Sequence, residues 1–303
     1  MFVRVLVNGG AGSVDDEERR TAEIRDAFDA AGADRVAVDV VAPEEIDATI
    51  TGWWAADPRP DVIVVAGGDG TVNGAAAVAA GTDIVLSVLP LGTFNHFAKD
   101  LGLPDDVAGA ARAIVAGEVR AVDVAEVNGQ VFVNNSALGM YPAMVAIRDE
   151  IRDSRGWGKV RAVPVACARV LRDLPVHRLD LRGSGGFARD RVRTPFVFVG
   201  NGRYDNGDGG TFERGSLGDG VLSVVVARAT TRRRLVGVAL RAVVAGTRRA
   251  GDLDRIDLDE LTVDGRPRRL RVARDGEIGW CDLPLRFRCR PGALRVRAPA
   301  ASG

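Results

Sequence analysis

The 303-residue chain carries 41 basic and 41 acidic side chains, so its formal net charge at pH 7 is zero. This balance argues against a general nucleic-acid binder, because that function needs an excess of lysine and arginine to displace counterions from phosphates. The length predicts two domains, and a hydrophobic fraction of 46% is ordinary for a folded enzyme.

The N-terminal part of the sequence alternates short β-branched runs with longer stretches rich in alanine and charge. This alternation is typical of βα units and a parallel sheet. We therefore predict a doubly wound parallel sheet in an α/β domain over residues 1–125. The predicted strands are 2–7, 35–41, 61–66, 84–89 and 120–126, and the predicted helices are 15–31, 43–56, 72–80 and 105–117.

After Asn128-Gly129, a plausible hairpin turn, short strands alternate with glycine-rich and charged loops. This texture predicts a mainly antiparallel, β-rich domain over residues 126–303, with the option that the extreme C-terminus returns to the first domain. The predicted strands are 131–137, 177–182, 192–199, 221–227, 255–263, 268–273 and 284–290, with helices near 157–174 and 231–246.

Cysteine usage and hydropathy favour a cytoplasmic location. Cys167, Cys281 and Cys289 form no CxxC pair and leave an odd count, which indicates neither a disulfide framework nor a zinc site. The sequence shows no export signal, and no apolar run approaches the roughly 20 residues that span a bilayer. Any contact with a membrane is therefore expected to be peripheral.

The stretch Gly67-Gly68-Asp69-Gly70 follows a buried strand and leads into a helix. Glycines allow a ligand to approach the backbone closely, and the N–H groups at a helix N-terminus favour phosphate. Asp69 would repel an anion, so its presence indicates a metal ion or a hydrogen-bonding role beside the phosphates. The alternative is an ordinary tight turn between a strand and a helix.

Two further loops follow predicted strands of the same sheet: Pro90-Leu-Gly-Thr-Phe-Asn95 and Asn8-Gly-Gly-Ala-Gly12. The carboxyl ends of parallel strands meet at one edge, where ligands of this architecture bind. The three loops together predict a site for nucleotide phosphates, with Thr93 and Asn95 as hydrogen-bonding residues.

With Gly67–Asn73 followed by Pro90–Asn95, the chain resembles the diacylglycerol kinase catalytic-domain family, which includes bacterial lipid kinases and sphingosine kinases. Gly156–Ala162, Gly218–Leu222 and Asp275–Glu277 match later segments of that family in the same order. The resemblance implies a kinase that uses ATP and Mg2+ to phosphorylate a lipid hydroxyl, on diacylglycerol or a related lipid at a membrane surface.

The same resemblance assigns residues to three roles. Asp69 and Glu277 are the expected catalytic residues, with Glu277 as the proton acceptor. Magnesium is expected at Ser216, Asp219 and Val221. The ATP-binding residues that the resemblance implies are Asn8, Gly9, Gly10, Ala11, Gly12, Gly67, Gly68, Asp69, Gly70, Thr71, Val72, Asn73 and Thr93. Asn95 joins this set because of its place in the second loop.

The sequence departs from the family pattern at two carboxylate positions. Gly74 stands where relatives usually carry Glu, and His96 where they often carry Asp. The first loop has Asn-Gly-Gly in place of Asn-Pro, and Ser216 replaces a Lys of some relatives. The missing carboxylates bear on metal handling and on the choice of acceptor.

Two other functions remain open at this point. One is an NAD kinase-like small-molecule kinase, because Gly-Gly-Asp-Gly is shared with such enzymes. The other is a catalytically silent module that binds nucleotide or lipid, which the departures at Gly74 and His96 favour. Without the resemblance, Glu277 is typical of a solvated hairpin carboxylate, because Asp-Gly is a common turn. The acceptor lipid is also left open, as is a homodimer.

Overall fold

The computed structural model describes residues 1–9, 14–155, 175–206, 212–228 and 253–300, together with the single positions 165, 169, 172 and 231. These residues form two compact units. Unit 1 comprises Met1–Val124, Gln130–Val133 and Arg290–Gly303, and unit 2 comprises Ala125–Gly129 and Asn134–Cys289.

Unit 1 is built on a parallel sheet in the order β2-β1-β3-β4. Its strands are rich in valine and isoleucine, the β-branched residues that pack well on a pleated surface. The strands are β1 (Phe2–Asn8), β2 (Arg35–Val41), β3 (Val62–Gly67) and β4 (Val85–Pro90).

Five helices accompany these strands in the described part of unit 1: α1 (Val14–Ala30), α2 (Ile46–Trp54), α3 (Asp69–Ala79), α4 (His96–Asp100) and α5 (Val107–Ala116). α1 packs with α5, and α2 packs with α3. Nearly every residue of β3 and β4 is buried, which requires cover on both faces of the sheet. The predicted doubly wound α/β architecture is confirmed.

The end of the last strand also lies in unit 1. β18 (Leu285–Ala298) pairs parallel with β4 through Arg295 and Val296. The Arg297 guanidinium donates to the carbonyls of Ile114 and Val115 at 2.9 and 3.0 Å. These carbonyls belong to the last turn of α5, where a cation offsets the negative end of the helix dipole.

Unit 2 contains an antiparallel sheet in the order β14-β13-β10-β7-β16-β17. Helix α6 (Met140–Arg155) follows β7 and packs on it and on β16. The strands are β7 (Asn135–Gly139), β10 (Phe196–Asn201), β13 (Leu222–Ala227), β14 (Leu253–Leu258), β16 (Arg269–Arg274) and β17 (Glu277–Asp282).

A second antiparallel ladder of unit 2 runs from the first residues of β18 through β15 and β8 to β9. Leu179, Leu181, Leu261, Val263 and Phe287 form its buried face. Its new strands are β8 (His177–Gly183), β9 (Ala188–Thr194) and β15 (Glu260–Arg266). The predicted antiparallel β-rich second half is confirmed.

The remaining strands are short or connect these sheets: β5 (Glu118–Val127), β6 (Gln130–Phe132), β11 (Tyr204–Asn206) and β12 (Phe212–Arg214). β5 pairs with β6 and β18, and β11 pairs with β12.

Several element predictions need correction. The predicted strand 255–263 is two strands, because 253–258 pair with β13 whereas 260–263 pair with β8 and β18. Helix α6 was not predicted, although its Pro142 is compatible with a first turn, where the missing N–H costs no intrahelical bond. The predicted helices 157–174 and 231–246 lie outside the described residues, apart from single positions.

None of the helices in the described ranges combines the length and the hydropathy that a membrane crossing requires.

Candidate functional site

The carboxyl ends of β1, β3 and β4 lie side by side in unit 1. Val7 pairs with Ala66, and Gly67 pairs with Pro90, so Asn8, Gly67 and Pro90 reach the same edge of the sheet. The three loops singled out in the sequence therefore begin at neighbouring strand ends. This is the edge at which parallel α/β sheets bind their ligands.

The first turn of α3 coincides with the Gly67–Gly70 loop. Gly68 is the N-cap with an extended backbone, the helix begins at Asp69, and Val72 N–H donates to the Gly68 carbonyl at 3.1 Å. The amides of Asp69, Gly70 and Thr71 precede that first helical bond, so they have no partner within the helix. The predicted helix began at residue 72, and its earlier start puts these amides at the positive end of the dipole.

The second loop lies directly against the first. A Cβ built on Gly92 would be 2.6 Å from the Gly68 Cα, a distance that no real side chain tolerates. A Cβ on Gly67 would similarly be 2.8 Å from the Thr71 side chain. Glycine is thus required at both places by close approach, and the two loops meet backbone to backbone.

Asn95 shapes the second loop from within. Its Oδ1 accepts from the Gly92 N–H at 2.8 Å, and its Nδ2 donates to the carbonyls of Pro90 and Gly92 at 3.1 and 3.0 Å. Its backbone is left-handed, with φ 50°, which asparagine tolerates better than most residues. Its assignment as an ATP ligand stays a prediction, and its visible contacts hold the loop.

Asp69 links the two loops. Its Oδ1 accepts from the His96 N–H at 3.2 Å, at the start of α4. Thr93 belongs to the second loop, three residues before His96, and is exposed. The structure therefore brings Asp69 and the loop that carries Thr93 and His96 together.

The loop after β1 is joined to the glycine turn by side chains. Asn8 Nδ2 donates to Thr71 Oγ1 at 2.7 Å, and Gly9 N–H donates to the Val41 carbonyl at 3.0 Å. Gly10, Ala11 and Gly12 lie outside the described residues.

The side chains at positions 71–73 are buried. Thr71, Val72 and Asn73 are 8%, 7% and 7% exposed. This burial leaves the backbone amides at the start of α3 as the groups best suited to meet a phosphate, while these three side chains hold the helix in place.

Phe94 was not among the predicted site residues, although it lies in the second loop. The residue is 61% exposed in the second loop, and its ring stacks on His96 with centroids 5.7 Å apart and planes 10° from parallel. The sequence signal that could have indicated it is an aromatic residue inside a glycine-containing loop. The pair offers a flat ring surface beside the phosphate-binding amides.

Glu277 lies in unit 2 on a tight hairpin. Asp275 and Gly276 form the turn between β16 and β17 with φ of 44° and 88°, the left-handed values of a two-residue hairpin. Glu277 is exposed and pairs across the ladder with Arg274.

The hairpin tip is held by Asp275. Its Oδ1 accepts from the N–H groups of Asn134 and Asn135, both at 2.9 Å, and its own N–H donates to the Asn135 carbonyl at 2.9 Å. In the Asp-Gly-Glu motif, Asp275 is therefore a framework residue. The motif alone does not distinguish this role from that of Glu277.

The three expected magnesium ligands surround one turn of unit 2. Gly202 N–H donates to the Val221 carbonyl at 2.9 Å, and Arg203 N–H donates to Asp219 Oδ2 at 3.2 Å. A Cβ on Gly202 would lie 2.9 Å from the Ser216 carbonyl.

The donor set at this turn is all oxygen, with one carboxylate and backbone carbonyls, which is the chemistry that hard cations select. Over the described ranges, no group of three or more His, Cys, Asp and Glu side chains is arranged to hold a metal. The residues therefore fit a magnesium ion in the type of their donor atoms, with a single charged ligand.

Comparison with known proteins adds to this geometry. A model of the diacylglycerol kinase catalytic domain matches residues 3–127. The YegS-like probable lipid kinase of Pseudomonas aeruginosa is 31% identical over 246 residues, which cover 79% of this chain and 77% of that protein. The chain belongs to the diacylglycerol kinase catalytic-domain family.

Other members of this family match over similar lengths. The diacylglycerol kinase of Mycobacterium tuberculosis strain H37Rv is 29% identical over 251 residues, 79% of this chain and 77% of that one. A crystal structure of a Bacillus anthracis diacylglycerol kinase superposes with a TM-score of 0.68 at 21% identity, covering 98% of this chain and 96% of that one. The structural likeness supports the fold.

The structure shows the surroundings of Gly74 and His96, the two residues at which the sequence analysis found a departure from the family pattern. Gly74 lies in the second turn of α3, where an added Cβ would meet no atom within 4 Å. A Cβ at this position would therefore meet no steric obstacle. His96, at the other position, uses its backbone N–H to bind Asp69 and its ring to stack on Phe94.

Proposed function

We propose that this member of the family is an ATP-dependent lipid kinase, which transfers the γ-phosphoryl group of ATP to the hydroxyl of diacylglycerol or a related lipid. The observation that carries the proposal is the backbone contact between the loops at Gly68 and Gly92, at the ligand-binding edge of a parallel sheet. Relatives named as lipid kinases support the choice of acceptor class.

Binding of the nucleotide relies on backbone donors. The amides of Asp69, Gly70 and Thr71 supply N–H groups without repositioning any side chain, and the dipole of α3 adds a favourable field. Phosphoryl transfer needs chiefly positioning and charge stabilisation, so a rigid cradle of this kind suits the reaction. The bonds of Asn8 and Asn95 keep the cradle in shape.

Magnesium, when bound, neutralises charge on the phosphate oxygens. Asp69 would hold it directly or through water, because His96 engages only one of its carboxylate oxygens in the described contacts. Ser216, Asp219 and Val221 would hold a second, structural ion through one carboxylate and backbone oxygens.

Glu277 is proposed as the proton acceptor. The lipid hydroxyl gives its proton to the carboxylate as its oxygen forms a bond to the γ-phosphorus, and the bond from phosphorus to the departing ADP oxygen breaks. The exposed position of Glu277 on an anchored hairpin leaves its carboxylate accessible to an acceptor.

The proposed acceptor resides in a bilayer, so we also propose peripheral contact with the cytoplasmic face of a membrane. Such contact would let a lipid hydroxyl reach the carboxylate while the ATP stays in water.

Incubation with ATP labelled in the γ-phosphate tests the proposal. The assay contains Mg2+ and, in separate reactions, diacylglycerol, monoacylglycerol, a sphingoid base, NAD and sugar phosphates, with a matched set lacking Mg2+. We expect label in one lipid class and none without Mg2+. Label on NAD alone would instead indicate the small-molecule kinase, and absence of transfer to every acceptor would indicate a silent binding module.

A further inference from the structure

Trp280 is an exposed tryptophan on an edge strand. It lies on β17, the last strand of the six-stranded sheet of unit 2, and the residue is 54% exposed to solvent. Over the described ranges, Phe94 is the only other aromatic side chain among the large exposed hydrophobic residues. A ring of this size forgoes the stabilisation of burial by remaining in water.

Two arginines flank the Trp280 ring. Arg271 is its direct cross-strand partner, with the guanidinium carbon 5.0 Å from the ring centroid, and the Arg269 guanidinium lies 5.7 Å away. Arg269 also reaches Asp282 at 3.8 Å. Arg271 forms no ion pair with any residue in the described ranges. We call Arg269, Arg271 and Trp280 the Trp280 patch.

A second tryptophan–arginine pair, in unit 1, has its polar groups hydrogen-bonded to a carboxylate of the protein itself. The Trp54 indole N–H donates to Asp83 at 2.8 Å, and Arg59 stacks on Trp54 at 3.8 Å while binding the same carboxylate at 2.9 Å. These bonds lower the pKa of Asp83, with the Trp54 hydrogen bond as the largest cause. Within the part of the chain that the structure describes, the Trp280 indole N–H has no such acceptor.

We propose that the Trp280 patch docks the protein on the surface of an anionic phospholipid bilayer. Tryptophan settles at the level of lipid headgroups, where its ring is buried and its N–H meets polar groups. Arginine binds phosphate through two parallel hydrogen bonds and is attracted by the negative surface potential of the bilayer. A headgroup phosphate thus supplies the acceptor that Asp83 supplies to Trp54.

The position of Glu277 on the same strand connects this inference to the proposed function, on which it rests. Glu277 precedes Trp280 by three residues, about 10 Å along an extended strand. Successive side chains alternate between the faces of a strand, so Glu277 points to the face opposite Trp280. Docking through Trp280 would hold the hairpin at the bilayer without covering the carboxylate.

A protein partner is the other kind of occupant for tryptophan and arginine, which are frequent in interface hot spots. The extent of the patch favours the bilayer. A stable protein interface buries about 800 Å² on each partner, whereas the Trp280 patch consists of three side chains on one edge hairpin. An inserted ring with two cations needs no such area.

Sedimentation with sucrose-loaded vesicles tests the proposal on the full chain without turnover. Vesicles of phosphatidylglycerol mixed with phosphatidylcholine are compared with phosphatidylcholine alone, for the wild type, Trp280→Ala, Arg271→Ala and the control Arg193→Ala. Arg193 is an exposed arginine on β9 of the same unit. We expect wild-type protein to bind anionic vesicles, with a loss of roughly tenfold for Trp280→Ala and about fivefold for Arg271→Ala.

Arg193→Ala should bind as the wild type does. Trp280→Phe should recover part of the affinity, since an aromatic ring remains. In the wild type, lipids brominated near the headgroup should quench tryptophan emission, and the Trp280→Phe variant should lose most of that quenching. Equal binding by the wild type and Trp280→Ala, or no wild-type binding to anionic vesicles, would overturn the proposal.

The phosphorylation assay separates this outcome from failure of the proposed function. With lipid presented in vesicles, Trp280→Ala should show an apparent KM raised about tenfold, whereas kcat on a dispersed short-chain lipid should be unchanged. A wild type that binds vesicles but phosphorylates no lipid would contradict the kinase proposal alone. An active enzyme whose Trp280→Ala variant binds and turns over vesicle lipid normally would contradict docking alone.

Discussion

The glycine loops of unit 1 and the Glu277 hairpin of unit 2 use their residues in opposite ways. At the sheet edge of unit 1, backbone amides face the proposed ligand, and the side chains of Asn8 and Asn95 hold the loops in shape. On the hairpin, a side chain is proposed to act, and Asp275 holds the backbone beneath it.

The two regions should therefore be sensitive to different kinds of substitution. The glycine loops are constrained by close approach, so an added methyl group should impair them. On the hairpin, Asp275 holds the backbone, and Glu277, two residues later, is proposed to accept the proton. Substitution of Asp275 should therefore change stability, and substitution of Glu277 should change turnover. Substitutions at Glu277, Asp275 and Gly92 probe this contrast, with expected effects that decrease in that order.

Replacing Glu277 with Gln should reduce turnover by about 10²- to 10⁴-fold, the usual contribution of a general base, because the amide cannot accept the proton. Its exposed position predicts unchanged melting temperature and ATP affinity. Turnover, calorimetric ATP binding and thermal unfolding measure the three quantities. Glu118→Gln, at an exposed glutamate of β5, is the matched control. Equal turnover in both variants would remove Glu277 from the mechanism.

Replacing Asp275 with Ala should lower the free energy of unfolding by about 2–4 kcal/mol, because two backbone N–H groups lose a charged acceptor. Asp275→Asn keeps an acceptor oxygen and tolerates the left-handed backbone, so we expect a smaller loss. Urea denaturation measures both. If the alanine variant is as stable as the wild type, Asp275 does not anchor the hairpin.

Replacing Gly92 with Ala should cost about 1–3 kcal/mol, because the new methyl would press on the Gly68 backbone. We expect the strain to weaken ATP binding by about tenfold. Gly74→Ala is the control within α3: its Cβ enters open space, and it should raise stability by about 0.5–1 kcal/mol. Calorimetry and thermal unfolding distinguish the two. Equal ATP affinity in Gly92→Ala and the wild type would show that contact between the loops is not needed.

The smallest expected effect is a pH dependence of stability from His177, outside both regions. Burial lowers the pKa of His177 below the ordinary histidine value of about 6.5. The unfolded chain therefore binds a proton more readily, and stability should fall as pH decreases from 6.5 through the lowered folded pKa. Melting temperatures between about pH 7.5 and 5.5 should decline less in His177→Gln than in the wild type. The exposed His96 provides the control variant His96→Gln.

Much of the candidate site was accessible from sequence because its requirements are local. The apolar stretches Val62–Gly67 and Val85–Pro90 are typical of buried strands, and a glycine turn after each predicts close approach of a ligand. What escaped prediction depended on partners distant in the chain. Asp275 meets Asn134 across 141 positions, and neither residue signals the other.

The same limit explains the corrections to the fold. Residues 255–263 have one continuous strand-like pattern, yet Asp259 separates two ladders with different partners. Strand propensity cannot show where a chain passes from one sheet to another, because both halves satisfy the same alternation.

The α/β order of unit 1, the antiparallel character of unit 2 and the family could be inferred from the amino-acid sequence, because periodicity and motif spacing are properties of neighbouring residues. The structure was needed to show that Gly68 meets Gly92, that Asn95 holds its own loop and that Trp280 remains exposed beside Arg271. These features follow from strand register and packing, which bring together residues that the chain keeps apart.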